Sequence, residues 1–237
     1  MFVTYKKIAF LVPRPNMSRE DFLNHWRLRH GPLVANSPNY GNWRNRYVQN
    51  HVEGDGPVGK SFLFAGMAEF WLPGNSPNED EFSKSETYRL HIALDEINFI
   101  NMSETISMTA VEEIVLQGDA PIKLIILSKL QNKNESTDLS MHYRSVLIEK
   151  NLFRSNFSSY VRGWRVNYVV PGSFRSPGGK EVTGIEIDFV DEIWFDSIDE
   201  MALAFKSLSW GSPFLDLKTQ QSFWVKEYVF FDQGHTT

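Results

Sequence analysis

Apolar positions along the chain fall into short continuous or alternating runs, separated by stretches of helical spacing, and the succession occurs twice. Residues 7–12, KIAFLV, are a compact apolar run ended by Pro13-Arg14-Pro15, which predicts a strand. Ser18 stands as a helix cap with Asp21 in the first turn. Phe22, His25, Trp26 and Arg29 follow at i, i+3, i+4 and i+7, so they share one face of a helix that runs to His30 and stops at Gly31-Pro32. Residues 43–51 and 62–71 alternate as strands, residues 78–100 are helical with a break near Tyr88, and 110–117 is a last strand. The second half predicts strands at 122–129, 160–169, 184–194 and 224–231, with helices around 139–150 and 197–208.

The two halves echo each other in residue identity. His25-Trp26-Arg27 recurs as His142-Tyr143-Arg144, and Trp43-Arg44 with Tyr47-Val48 recurs as Trp164-Arg165 with Tyr168-Val169. Glu69-Phe70-Trp71 recurs as Glu192-Ile193-Trp194, and Val111, Glu113 and Val115 as Val225, Glu227 and Val229. The order is conserved while loop lengths differ, as duplication of one unit requires. The expected architecture is α+β: two ferredoxin-like βαββαβ repeats, residues 1–118 and 119–237. Because the strands carry large residues on both alternations, the sheets are expected to pack face to face as a pseudo-dimeric α+β barrel.

Composition narrows the chemistry. The chain has 237 residues, 42% of them hydrophobic and 14% aromatic, with a net charge of −5 and no basic run. That supplies a core and argues against a nucleic-acid or anionic-membrane partner. There is no cysteine, so thiolate catalysis, cysteine zinc sites and iron–sulfur clusters are excluded. The N-terminal segment is too short and too interrupted for a signal-peptide core or a membrane span, so a cytoplasmic protein is expected. Residues 54–61, GDGPVGKS, fit a phosphate-loop pattern, but FLFAGMAEFW follows where that motif needs a helix. A hairpin loop is the expected identity.

The stretch FLNHWRLRHGPLV (22–34), then YVQNHV (47–52), AEFW (68–71) and DEINFI (95–100), resembles the EthD family of the dimeric α+β barrel superfamily. The resemblance covers the first half; the second half joins it through its echoes of the first. It implies a cleft between sheet and helices and cofactor-free chemistry on a small molecule. Relatives in the superfamily act as polyketide cyclases, anthrone oxygenases, lactone isomerases, dehydratases and decarboxylases on phenolic or conjugated substrates, and distant members hold haem.

The histidines separate into two groups. His25 has an echo in His142, which favours packing and hydrogen bonding at the sheet–helix seam. His30, His51 and His91 meet Leu147, Gly172 and no histidine in the other half, so the first half is the better candidate for a site. His30, at the end of its helix, suits a general acid or anion binder, and His51, at a strand end beside Asn50, suits a general base. Tyr88 and His91 lie i, i+3 and would orient the substrate, with Asp95 four residues on able to fix the His91 tautomer. Asp95 has an apparent echo in Asp216, which equally suits a structural role. His25 and His30, five apart, are expected on different helix faces, so no metal-ligand pair arises. Trp26, Trp43 and Tyr47 would wall the cleft.

The expectation is therefore a cofactor-independent lyase, isomerase or cyclase acting on an aromatic, phenolic or polyketide-like small molecule through histidine acid–base chemistry. A non-catalytic binding module and a haem protein are the competing readings. Whether two copies associate as a homodimer stays open at this stage.

Overall fold

The computed structural model describes residues 4–60, 64–74, 82–131, 157–176, 187–206 and 215–234. Eight strands close into one antiparallel barrel: β1 (Thr4–Leu11), β2 (Arg46–Asp55), β3 (Gly66–Trp71), β4 (Ile106–Leu116), β5 (Ile122–Ser128), β6 (Val161–Val169), β7 (Phe189–Phe195) and β8 (Gln221–Asp232). Around the ring their order is β1-β3-β2-β8-β5-β7-β6-β4. Thus β4-β1-β3-β2 in one half faces the same order, β8-β5-β7-β6, in the other. The halves oppose their inner faces as expected, but they also pair edge to edge, β2 with β8 and β4 with β6. Closure satisfies the backbone groups that two stacked sheets would leave exposed at their edges.

Strand alternation divides the residues into an interior and an outer surface. Ile8, Phe10, Met67, Met108, Ile125, Val190 and Phe223 fill one part of the barrel interior. The other part is charged. Lys6 Nζ lies 2.8 Å from Glu69, 2.5 Å from Glu112 and 2.7 Å from Glu192. Lys123 Nζ lies 2.7 Å from both Glu69 and Glu192 and 3.0 Å from Glu227. Burial favours the neutral amines, but the surrounding carboxylates outweigh it and hold both lysines above their ordinary range. Asn50 donates to Glu69 at 2.8 Å and Asn167 to Glu192 at 2.6 Å, while Lys6 and Lys123 sit over Trp71 and Trp194.

The register revises the echoes read from sequence. Lys6 pairs with Trp71 as Lys123 pairs with Trp194, so Glu69-Phe70-Trp71 does match Glu192-Ile193-Trp194. Tyr47 faces Phe70 as Trp164 faces Ile193, so Trp164 matches Tyr47 rather than Trp43, and Tyr168, not Gly172, matches His51. Ala110 and Val225 hold equivalent places beside Lys6 and Lys123, which aligns Glu112, not Glu113, with Glu227. Asp216 follows the Leu130–Leu215 bridge as Asn101 follows Pro13–Ile100, so it answers Asn101 and not Asp95. Each of the two caps a turn, accepting from the backbone N–H two residues on.

Helices cover the outer faces. In the first half Arg19–His25, a π turn at Trp26–His30 and Gly31–Ala35 form one continuous segment, so the helix does not stop at Gly31-Pro32. The π turn widens the helix just where Pro32 lacks an N–H and would crowd a carbonyl one turn back. A second π turn, Tyr88–Ile92, leads into the helix Ala93–Phe99. In the second half Phe157–Tyr160 and Ile198–Lys206 are helical. The helix expected at 139–150, with His142 and Leu147, lies outside the described residues, as do most of the second hairpin loop and Ser61. No described helix is long and apolar enough to cross a membrane.

The phosphate-loop match is a hairpin connection. Gly56 N–H donates to Ser222 O at 2.9 Å, Gly59 takes φ 74°, and Lys60 bridges to Gln221, with no helix among the described residues between β2 and β3.

Candidate functional site

On β1, Lys6, Ile8 and Phe10 point into the barrel, which turns Lys7, Ala9 and Leu11 outward beneath the first-half helices. These three, with Phe70 of β3, floor a cavity of about 180 Å³. His30 and Val34 enter from the first helical segment, and Tyr88, Ile92, Glu96 and Ile100 from the second. Arg44, Phe82 and Arg175 complete its wall. Arg44 is buried, with its guanidinium 5.3 Å from the Phe82 ring and 5.7 Å from Phe70.

One carboxylate organises the histidines. Asp95 receives His30 Nδ1 on Oδ2 and His25 Nε2 on Oδ1, each at 2.9 Å. The π turn makes this arrangement, because Gly31 N–H bonds to Trp26 O five residues back and brings residues five apart onto one side. The expectation that His25 and His30 occupy different faces assumed regular α geometry, and the wider turn overturns it. Burial works against the Asp95 charge, but the hydrogen bonds from His30 and His25 outweigh it and hold Asp95 below its ordinary value. An anionic Asp95 accepts a hydrogen bond from His30 Nδ1–H, which favours the tautomer whose lone pair is on Nε2, in a residue that lines the cavity.

Glu96 supplies the complementary group. Burial raises its titration above the usual carboxyl range, against a smaller opposing effect of His30. Tyr88 Oη donates to Glu96 Oε2 at 2.8 Å. A base and a carboxyl biased toward its acid form thus face the same space, an arrangement suited to moving protons on and off one ligand.

Of the residues singled out in the sequence, His30 and Tyr88 line the cavity and Asp95 and His25 stand directly behind His30. The others do not share the hollow. His51 is 3% exposed, stacked on Trp26 at 4.7 Å, with Nε2 3.0 Å from Gln49 Oε1. Burial, then the charges of Arg27, Arg19 and Lys226, lower its pKa to about 3, so it holds a proton weakly. His91 is exposed on the outside of its π turn, and Asp95 bonds to His25 and His30 instead of to it. Trp26 packs onto Gly66, where an added Cβ would lie 2.3 Å from the indole. Tyr47 stacks on Phe70 and accepts from Gln49, Trp43 packs near Phe82, and Asn50 points into the barrel.

Sequence reasoning missed Lys7, Arg44 and Glu96. A signal for Glu96 existed: Tyr88, Ile92, Glu96 and Ile100 recur every four residues and all line the cavity.

In the second half the equivalent positions are packed with apolar side chains. Where the first half has Lys7, Ala9, Gln49 and Phe70, matching register positions hold Leu124, Ile126, Val166 and Ile193. All four join Phe157, Trp164, Phe195, Met201 and Phe205 in a packed apolar cluster.

Among curated proteins, none matches the sequence. Three solved structures share the fold over nearly the whole length. An anthrone oxidase-like protein is 8% identical, with 100% of this chain and 97% of that chain covered and a TM-score of 0.50. A candidate monooxygenase from Fusobacterium nucleatum subsp. nucleatum is 7% identical, with 98% and 95% covered and a TM-score of 0.52. A candidate chlorite dismutase is 10% identical, with 95% of each chain covered and a TM-score of 0.53. Residues 14–103 match the family model for the EthD domain, the segment that carries His25, His30, Tyr88, Asp95 and Glu96. Residues 14–103 are thus similar to an EthD domain, and they lie within a closed antiparallel α+β barrel.

Proposed function

We propose that the chain is a duplicated βαββαβ unit, divided at residues 118 and 119, whose first copy carries a small-molecule acid–base site and whose second is largely a filled scaffold that lends Arg175 to the wall of that site. The observation that carries this reading is the pairing of His30, oriented by Asp95, with an acid-biased Glu96 across one cavity. His30 Nε2 takes a proton from the substrate, Glu96 returns one to a leaving hydroxyl or a carbonyl oxygen, and Tyr88 holds Glu96 in place. That proton bookkeeping fits dehydration, isomerisation or enolisation.

Cavity size supports a narrower substrate than the resemblance alone. An engineered cavity of about 150 Å³ takes up benzene, so the 180 Å³ here fits a one-ring or short conjugated molecule better than a multi-ring polyketide. Lys7, Arg44 and Arg175 among the lining residues favour a phenolic or carboxylic ligand. Haem does not fit by size: the cavity of about 180 Å³ falls below the roughly 300–1,000 Å³ of pockets for drug-sized ligands.

The test is turnover of a panel of one-ring phenolic and unsaturated acids, followed by chromatography and mass spectrometry. His30→Ala and Glu96→Gln are each expected to reduce turnover by roughly 10²–10⁴, the usual scale for a general acid or base. Saturable binding with unchanged ligand would replace catalysis by a binding role, and unaffected turnover in both variants would remove the site.

A further inference from the structure

The geometry points to His25 as a positioning residue that fixes the tautomer of His30 through their shared Asp95 carboxylate, an inference that rests on the reading of His30 as the base. A carboxylate held by one imidazole alone can rotate and present either oxygen or neither. Here His25 Nε2 anchors Oδ1 while His30 Nδ1 takes Oδ2, each at 2.9 Å, so both oxygens are committed. His25 is itself held, stacked on Phe99 at 4.7 Å and 20°, and the same ring packs 4.9 Å from His30. Two imidazoles, both packed on one phenyl ring, therefore hold the carboxylate by its two oxygens.

The π turn is part of the device. His25 and His30 are five positions apart, a spacing that a regular α-helix turns away from a common partner and this wider turn aligns. With Asp95 pinned, the Nδ1–H form of His30 is favoured and Nε2 keeps its lone pair for the ligand. Without His25, Asp95 loses one of its two donors and the preference weakens.

The experiment needs no ligand. Long-range ¹H–¹⁵N spectra of the full-length, histidine-labelled protein at mildly alkaline pH report which nitrogen of each ring carries the proton, with assignments from single-histidine variants. In the wild type His25 is expected to be protonated on Nε2 and His30 on Nδ1; the reverse for either overturns the inference, whatever the variants do. His25→Phe keeps a ring on Phe99 and removes the donor, and is expected to shift the His30 tautomer ratio toward Nε2–H by roughly fivefold, the scale of one lost hydrogen bond. His25→Gln, which retains a donor near the Nε2 position, is expected to restore the wild-type ratio. An unchanged His30 ratio in His25→Phe would make His25 a packing residue only. Absence of turnover on any substrate would sink the enzyme reading while leaving these spectra as stated, so the two failures are distinguishable.

Discussion

His51 gives the sharpest stability prediction because the fold holds a titratable group where its charge is disfavoured. Burial against Trp26 and Tyr228, reinforced by Arg27, Arg19 and Lys226, lowers its pKa from 6.5 to about 3. A base depressed in the folded state contributes stability that is complete above 6.5 and drains away as pH falls toward about 3. Each pH unit inside that window costs about 1.4 kcal/mol, so moving from about pH 7.5 to pH 4.5 removes about 3 kcal/mol through this residue alone. His51 is 3% exposed, which leaves little solvent to screen the effect. Replacing His51 by Phe keeps a ring on Trp26 and deletes the titration. Urea unfolding followed by tryptophan fluorescence at both pH values then gives two stability differences. The variant is expected to gain about 3 kcal/mol on the wild type at the lower pH relative to the higher, since other groups titrate alike in both. Parallel pH dependence within about 1 kcal/mol would refute the reasoning and return His51 to the pool of available proton carriers.

Three further outcomes follow from the same geometry. Glu69→Gln leaves Lys6 and Lys123 short of a shared carboxylate inside the barrel and is expected to cost about 3–5 kcal/mol in chemical unfolding, the scale of a broken buried pair; a loss below about 1 kcal/mol would contradict it. Gly66→Ala drives a Cβ to within 2.3 Å of the Trp26 indole and is expected to destabilise by about 1–3 kcal/mol as overpacking does; an unchanged melting temperature would show that the helix shifts freely. Glu96 is raised by burial, so its acid form contributes stability that is full below the ordinary carboxyl pKa and lost as pH rises through the raised one. Glu96→Gln is therefore expected to gain melting temperature on the wild type between acidic and neutral pH, and a flat difference would deny the shift.

The alternation of apolar residues carried the strand order, because each face of a strand in this barrel has its own partner and the sequence records both. Glu69-Phe70-Trp71 and Glu192-Ile193-Trp194 were legible as equivalents since both triplets keep the same inward and outward residues. Trp43 and Trp164 misled, because aromatic residues recur on the outer face and register depends on which strand residue lies opposite, which a single chain does not display. Edge pairing of β2 with β8 was equally hidden, being a contact between residues far apart in the chain, such as Arg46 and Asp232. In the site, His30 and Tyr88 stood out by type. His25 and Asp95 were visible as residues but misassigned in role, since helical spacing presumes 3.6 residues per turn and the π turn at Trp26–His30 departs from it. Lys7 was masked by its neighbour: of two adjacent lysines on β1, one enters the barrel and the other faces the cavity.

The central claim is that the cavity beneath the first-half helices holds the small molecule on which the protein is proposed to act. Native mass spectrometry of the purified chain, compared with Ala9→Phe, tests it most directly, because Ala9 floors the cavity and a phenyl group there occupies its volume. His51→Phe, altered outside the cavity, serves as the matched control. A one-ring or short conjugated acid copurifying with the wild type and with His51→Phe, and absent from Ala9→Phe, is the expected result. The same molecule retained by Ala9→Phe would contradict the account.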